Sequence, residues 1–313
     1  MCNNLYTPDG WPNIAYIDGL GCWLNLLISA RQVGKTYSTL KYMLENDRFH
    51  LFMRRTKTEF EAITSNPIMN PYEKFIKEGK RVMLTGSANS IMQIEGYDPG
   101  ENGERVRNGK LYGAATSLVK IAAVRGFNGD PFSDWIFDEF IPEKIVVTRK
   151  AEGDAFLNAH VTINSNRELE GKPPIKTWLL ANTNNINSPI LNALRITDDI
   201  LYARRKGLEE YITDNGVFIG QFNSEKILSQ RKQTALMRQV GEDSEFYRMA
   251  INNEFSYDDS PYIKSVSLKN ARPAWSYGNM YCWSKADGFY ICRAPFKTAS
   301  APAYMADNTG RER

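Results

Sequence analysis

The sequence predicts an α/β protein whose mainly parallel sheet is flanked by helices. Three observations carry that prediction. Apolar runs of strand length alternate with helical patterns through the first two-thirds of the chain. A Gly34-Lys35-Thr36 turn joins the first run to the first helix, and a later run ends in two acids, Asp138 and Glu139.

Residues 23–28 read as a buried strand, because an apolar run without polar alternation needs cover on both faces. Residues 37–44 follow as a helix, with Leu40 and Leu44 four apart on one side. Residues 50–55 form a second strand that ends in charge, and 81–85, 90–95 and 111–116 form shorter strands joined by Gly-rich turns. Residues 133–137 lead into Asp138, and 177–181 lead into Asn182. Beyond Asn187 the pattern changes. Asn223 is placed to cap a helix running to Gln239, a short helix follows at 245–251, and 277–292 reads as a hairpin turning at 285–288. The tail from Pro295 is expected to be poorly ordered, and no internal repeat is present.

The 313 residues are 42% apolar and 24% charged, which argues against wholesale disorder. With 39 Lys and Arg against 36 acids, the net charge of +3 excludes a globally basic coat-like protein, although a local basic track is compatible with it. Four cysteines without a C-x-x-C pair and two histidines, His50 and His160, argue against structural zinc. Cys282 and Cys292 lie on opposite arms of the expected hairpin and read as reduced thiols of an intracellular protein. No signal peptide is visible, and the longest apolar stretch, 19–30, is shorter than the roughly 20 residues a bilayer span needs.

Ser29, Ala30, Arg31, Gln32, Val33, Gly34, Lys35 and Thr36 differ from the G-x-x-x-x-G-K-[ST] phosphate loop only in the first position, where Ser29 replaces glycine. Backbone N–H groups of such a loop and the following helix start point at phosphates. Tyr37 begins the helix just beyond. Lys35 is placed to bridge the β- and γ-phosphates of ATP, and the Thr36 hydroxyl to ligate Mg²⁺. Asp138, at the end of a parallel strand, suits a water bound to Mg²⁺, and Glu139 suits the orientation and activation of the attacking water. Asn182 ends the next apolar strand, where its amide either senses the γ-phosphate or closes an Asx turn.

Arg167 lies in a polar segment between those two strands, as a charge-stabilising arginine for a neighbouring subunit's nucleotide or as a surface partner of Glu168 or Glu170. Arg54, Arg55 and Lys57 cluster after the second strand; Arg105, Arg107 and Lys110 cluster in a Gly-rich stretch; Arg125 precedes the acid strand. Lining a ring's bore, these cations would hold DNA phosphates without reading sequence.

Taken together, the Arg-Gln-containing phosphate loop, the Phe137-Asp138-Glu139-Phe140-Ile141 run, the strand ending at Asn182, the Arg54-Arg55 strand end with Lys57, the Asn166-Arg167-Glu168 segment and residues 247–263 resemble viral DNA-packaging ATPases. The likeness is to the packaging ATPases of small protein-primed podoviruses, the Picovirinae type, and beyond them to large-terminase motors. It implies a P-loop NTPase of the additional-strand catalytic-glutamate type over 1–200, a helical linker over 201–255, and a small β-rich C-terminal domain with tail over 256–313. That last domain would be a partial, vestigial ribonuclease-H-like fold, since Met280 to Trp283 carry no acid for a nuclease metal. The resemblance further implies ATP and Mg²⁺ as cofactors, double-stranded DNA as cargo, and a homo-oligomeric ring, commonly a pentamer, on the viral portal. An RNA scaffold does not follow from it, and no membrane is involved. The place of action would be the host cytoplasm, transiently at the procapsid portal vertex. Two rival readings are a terminase large subunit that also cuts DNA and a nucleotide-gated portal adaptor that does not hydrolyse ATP.

Overall fold

The computed structural model describes residues 4–87, 90–123, 127–142, 151–183, 186, 188–244, 246–247, 251, 268–277, 280–286, 288–292 and 303–304. The chain divides into two compact units, Met1–Asp258 and Asp259–Arg313.

The first unit opens with α1 (Ile14–Gly19), β1 (Leu24–Ser29), α2 (Lys35–Glu45), β2 (His50–Arg54), α3 (Lys57–Ser65) and α4 (Glu73–Lys77). Next come β3 (Val82–Thr85), β4 (Met92–Pro99), β5 (Arg105–Ser117), α5 (Leu118–Ala123), β6 (Asp134–Asp138), α6 (Ala151–Asn164) and β7 (Lys176–Asn182). It continues through α7 (Pro189–Leu194), α8 (Thr197–Arg205), β8 (Glu210–Ile212), β9 (Val217–Gln221), α9 (Glu225–Lys232) and α10 (Ala235–Val240). Its nine-stranded sheet has the order β3-β4-β5-β2-β6-β7-β1-β9-β8. From β5 to β9 neighbouring strands are parallel; β3, β4 and β8 add antiparallel edges.

The sheet is covered on both faces, as the unbroken apolar runs require. On β1, Leu24, Leu26 and Ile28 enter one core layer with Phe137, Phe156 and Ile190, while Leu27 enters the other with Leu40, Phe52 and Trp178. Every residue of β1 and β6 is buried. α3 starts where the sequence dictates: Thr56 caps it and Glu59 returns the bond to the Thr56 backbone, a reciprocal capping box.

The sheet runs on past residue 200, which lies inside α8, through β9, which pairs in parallel with β1 from Leu24↔Val217 to Ile28↔Gln221. One expectation needs correction. The single helix expected from Asn223 to Gln239 is two, α9 and α10, and Ser224 rather than Asn223 stands at its start. The break has a local cause: Thr234 Oγ1 donates to the Arg231 carbonyl (2.9 Å), ending one helix while Thr234 begins the next.

The second unit holds β10 (Arg272–Tyr277), β11 (Met280–Lys285), β12 (Gly288–Cys292) and β13 (Ala303–Tyr304) in the order β12-β11-β10-β13. The expected hairpin is the antiparallel β11–β12 pair, with Cys282 opposite Ile291 and Tyr281 opposite Cys292. Cys282 is buried. Most of the tail from Pro295 lies outside the described residues, as does most of the short helix expected at 245–251; Ala303–Tyr304 pairs in parallel with β10. Among the described residues no helix is long and apolar enough to cross a membrane.

Candidate active site

Parallel strands deliver their C-terminal ends to one edge of a sheet, where the connections splay apart and leave a crevice. Here β1 ends in the phosphate loop, β6 in Asp138 and Glu139, β7 in Asn182 and β2 in Arg54. A cleft of about 400 Å³ lies at this edge, lined by the loop from Arg31 to Tyr37, Asp138, Glu139 and Asn182.

Gly34 precedes α2 in the left-handed conformation (φ 79°), and a Cβ built there would stand 2.5 Å from Cε3 of Trp11. Backbone sign and indole contact both require glycine at this point. α2 then starts at Lys35 with its unpaired N–H groups at the loop. Gln32 (φ 61°) and Glu139 (φ 52°) also hold left-handed backbone without being glycine, a strained state that clusters at functional sites.

Lys35, only 7% exposed, donates to the Ser29 carbonyl (3.1 Å), Ser29 Oγ (3.0 Å), the Ala30 carbonyl (2.9 Å) and Asn182 Oδ1 (3.2 Å). None of those acceptors is charged, and burial pushes the ammonium down to about 7, with the Asp138 carboxylate opposing the fall. Thr36 Oγ1 donates to Asp138 Oδ1 (2.8 Å), and Arg54 pairs with Asp138 Oδ2 at 3.3 Å and with Glu139. Burial raises the Asp138 carboxyl, which is 2% exposed, and Arg54 counters it. Glu139, by contrast, has a half-open side chain, 55% exposed.

Lys35, Thr36, Asp138, Glu139 and Asn182, predicted from separate stretches of sequence, are thus brought together. Tyr37 reaches the cleft, but its hydroxyl donates to Glu78 Oε2 (2.8 Å) and its ring stacks on Phe75. Arg167 is not brought there. It sits at the opposite end of the strands, where its guanidinium donates to the carbonyls of Phe132 (2.7 Å), Pro173 (3.1 Å) and Asp130 (3.3 Å).

The cation clusters also separate. Arg55, expected on DNA, is 3% exposed and clamped between Glu59 (3.0 Å) and Glu152 (2.9 Å), so it cannot touch a duplex; it is an interior ion pair. Lys57, Arg105, Arg107 and Lys110 are exposed, paired with Glu61, Glu73, Glu95 and Asp47 in turn. Arg125 lies outside the described residues.

Two contributors escaped the sequence reading. Arg54 belongs to the carboxylate pair rather than to a DNA track; the β2–β6 register, Met53↔Phe137, is what sets it beside Asp138. Trp11, far upstream, backs the phosphate loop, and no local pattern announces it.

No family model and no curated protein matches this sequence. Among solved structures, the phi28 gp11 DNA packaging motor superposes with a TM-score of 0.53 at 16% identity, over 99% of this chain and 86% of that one. This chain has that motor's fold. Two structures from bacteriophage phi29 have TM-scores of 0.46. One is the viral genome packaging motor assembly, at 19% identity over 97% of this chain and 86% of that one. The other is the N-terminal domain of the DNA packaging ATPase, at 20% identity over 71% and 97%.

Proposed function

We propose that this chain is the ATP-hydrolysing subunit of a viral genome-packaging motor, which drives double-stranded DNA into a preformed capsid. The observation that carries this reading is the meeting of Lys35, Thr36, Asp138, Glu139 and Asn182 at one sheet edge, in a chain with a packaging motor's fold.

The residues present fit Mg²⁺: Thr36 Oγ1 and Asp138 Oδ1 are two hard oxygens side by side, and such sites need few protein ligands when phosphates supply the rest. When bound, the ion neutralises charge on the β- and γ-phosphates and fixes their alignment. Lys35 trades its neutral acceptors in the loop for phosphate oxygens. Asn182, bonded to Lys35, registers whether a γ-phosphate occupies that place. Glu139 takes the proton from the attacking water once Arg54 releases it. Arg31 to Val33 offer backbone N–H groups to the phosphates.

In this reading the chain works as a ring of copies, commonly five, seated on the portal vertex of a procapsid in the host cytoplasm. Lys57, Arg105, Arg107 and Arg125 contact DNA phosphates. Arg167 serves a neighbour's nucleotide only by releasing the three carbonyls it now holds. The domain division inferred for the ring subunit is an ATPase core, a helical linker and a small C-terminal β domain.

ATP turnover by the purified protein, measured with and without double-stranded DNA, tests the proposal. Glu139→Gln should lower turnover by about 10²–10⁴, the usual weight of a positioned general base, and Lys35→Ala by about 10²–10³, the weight of one electrostatic contact to the developing charge. Undiminished rates would sink it.

A further inference from the structure

Among the described residues, Arg231 is a buried cation that no carboxylate answers. It is 8% exposed, and its Nη1 has no hydrogen-bond partner among the described residues. No carboxylate pairs with it there, in contrast to the similarly buried Arg55, which has two. Arginine does not shed its proton in proteins, so this charge persists at a real free-energy cost. A buried charge that no carboxylate answers among the described residues invites an anion from outside.

The geometry says where that anion sits. β9 lies against β1, so the chain leaving β9 after Gln221 emerges beside the start of the phosphate loop, and α9 begins there. Ile227 and Arg231, four apart, are the two buried residues of α9 and share one face. That face looks onto Gly10: a Cβ there would meet Ser224 Oγ at 2.5 Å and Ile227 Cγ1 at 3.5 Å. The next residue, Trp11, packs on Gly34 of the loop. A second path leads to the same place, since the positive charge of Arg231 is near enough to Lys35 to weaken that lysine's hold on its proton.

We infer that Arg231 is a positioning residue for the polyphosphate of the bound nucleoside triphosphate, reaching it in cis from α9 on the side of the loop opposite Asp138 and Glu139. The inference rests on the nucleotide-binding reading and adds to it a second cation, fixed in charge, that gains its partner only when the triphosphate is present. α9 would then be held against the loop by the ligand, which gives the segment beyond β9 a direct means of sensing nucleotide.

The test uses Arg231→Met, which keeps the packing volume and removes the charge, and Arg231→Lys, which keeps the charge. Each full-length protein is melted alone and with ATP, and the affinities for ATP and AMP are measured by titration. Arg231→Met should melt alone at or above the wild-type temperature, because a solvent-starved charge has gone. Its ATP affinity should fall about 10- to 100-fold, the size of one charge-assisted hydrogen bond, with little change for AMP. Arg231→Lys should keep more ATP affinity than Arg231→Met. ATP affinity within about twofold of wild type for Arg231→Met, or equal losses for ATP and AMP, or equal losses for the Lys and Met variants, would overturn the inference while leaving nucleotide binding intact. A wild-type protein that binds no ATP at all would overturn the underlying reading with it.

Discussion

Asp134 and Asp138 are the two ends of one strand, four residues apart and both buried, 0% and 2% exposed. Asp134 is saturated. Its carboxylate accepts from Arg48 Nε (2.8 Å) and Nη2 (3.1 Å), from Trp178 Nε1 (2.9 Å) and from Ser133 Oγ (2.6 Å). Around it Lys176 and Arg48 pair with Asp18, and Arg167 ties down three carbonyls. Asp138 has one hydroxyl and an ion pair with an arginine that it shares with Glu139. Near it stand a lysine bonded only to neutral acceptors and two residues in left-handed backbone. A larger cavity, about 630 Å³, opens at the Asp134 end, yet the phosphate loop and the Asp138–Glu139 pair line the smaller one. Size of hollow is a poor guide here. What separates the two ends is how many of the buried charges the fold has already answered.

The comparison predicts opposite outcomes for one substitution made at each end. Asp134→Asn strips Arg48 of its two close charge-assisted bonds and leaves it only the longer pair with Asp18 (3.7 Å), a loss of about 1.5–3 kcal/mol in unfolding free energy. Asp138→Asn removes a charge that burial already disfavours, so stability should shift by less than about 1 kcal/mol while ATP turnover collapses. Denaturant midpoints and turnover, measured on both variants, read the two effects separately. Equal destabilisation would erase the distinction between the ends.

A smaller effect sharpens it. In the nucleotide-free cleft Lys35 holds its proton only up to about pH 7, and phosphate oxygens would raise that value. Between the free and bound values, ATP binding takes up a proton; affinity is therefore full below about 7 and falls as pH rises, by up to about tenfold per unit. Titrations from about pH 7.5 to about 9 lie above the last phosphate ionisation, near 6, and so isolate the lysine. A flat profile over that range would mean that Lys35 is already held charged by its surroundings.

The reach of the sequence follows the same division. Lys35 and Thr36 were legible from the Gly-Lys-Thr loop pattern, and Asp138, Glu139 and Asn182 because each sits at the end of an apolar run; parallel strands bring such ends together whatever their order. β9 was passed over: it is five residues long with Gly220 inside, and its apolar character matters only once β1 lies beside it. Arg54 and Arg55 are adjacent and chemically identical in the sequence. Only strand register decides that one faces Asp138 and the other is enclosed by Glu59 and Glu152. Trp11 had no signal, because its packing on Gly34 depends on where distant segments lie.

The smallest expected effects are at the surface, where the rule of answered and unanswered charges takes a third form. Arg105 and Arg107, on β5, are paired with Glu73 at 3.3 Å and Glu95 at 3.2 Å, but both cations are exposed. The exposed ends of such pairs are held by only about 0–1 kcal/mol, and the buried Glu95 keeps its bond from Thr85, so a DNA phosphate can draw either arginine away at little cost. Arg55, fully enclosed, has no such freedom. If the β4–β5 arm holds DNA, Arg107→Gln should reduce the slope of log affinity against log salt by about 0.9, the contribution of one phosphate contact, and weaken all sequences alike. Arg55→Gln should leave that slope unchanged while lowering the stability of the fold. A slope that falls for Arg55 and not for Arg107 would mean that exposure, rather than the strength of the existing pair, has been misjudged as the property that frees a cation for DNA.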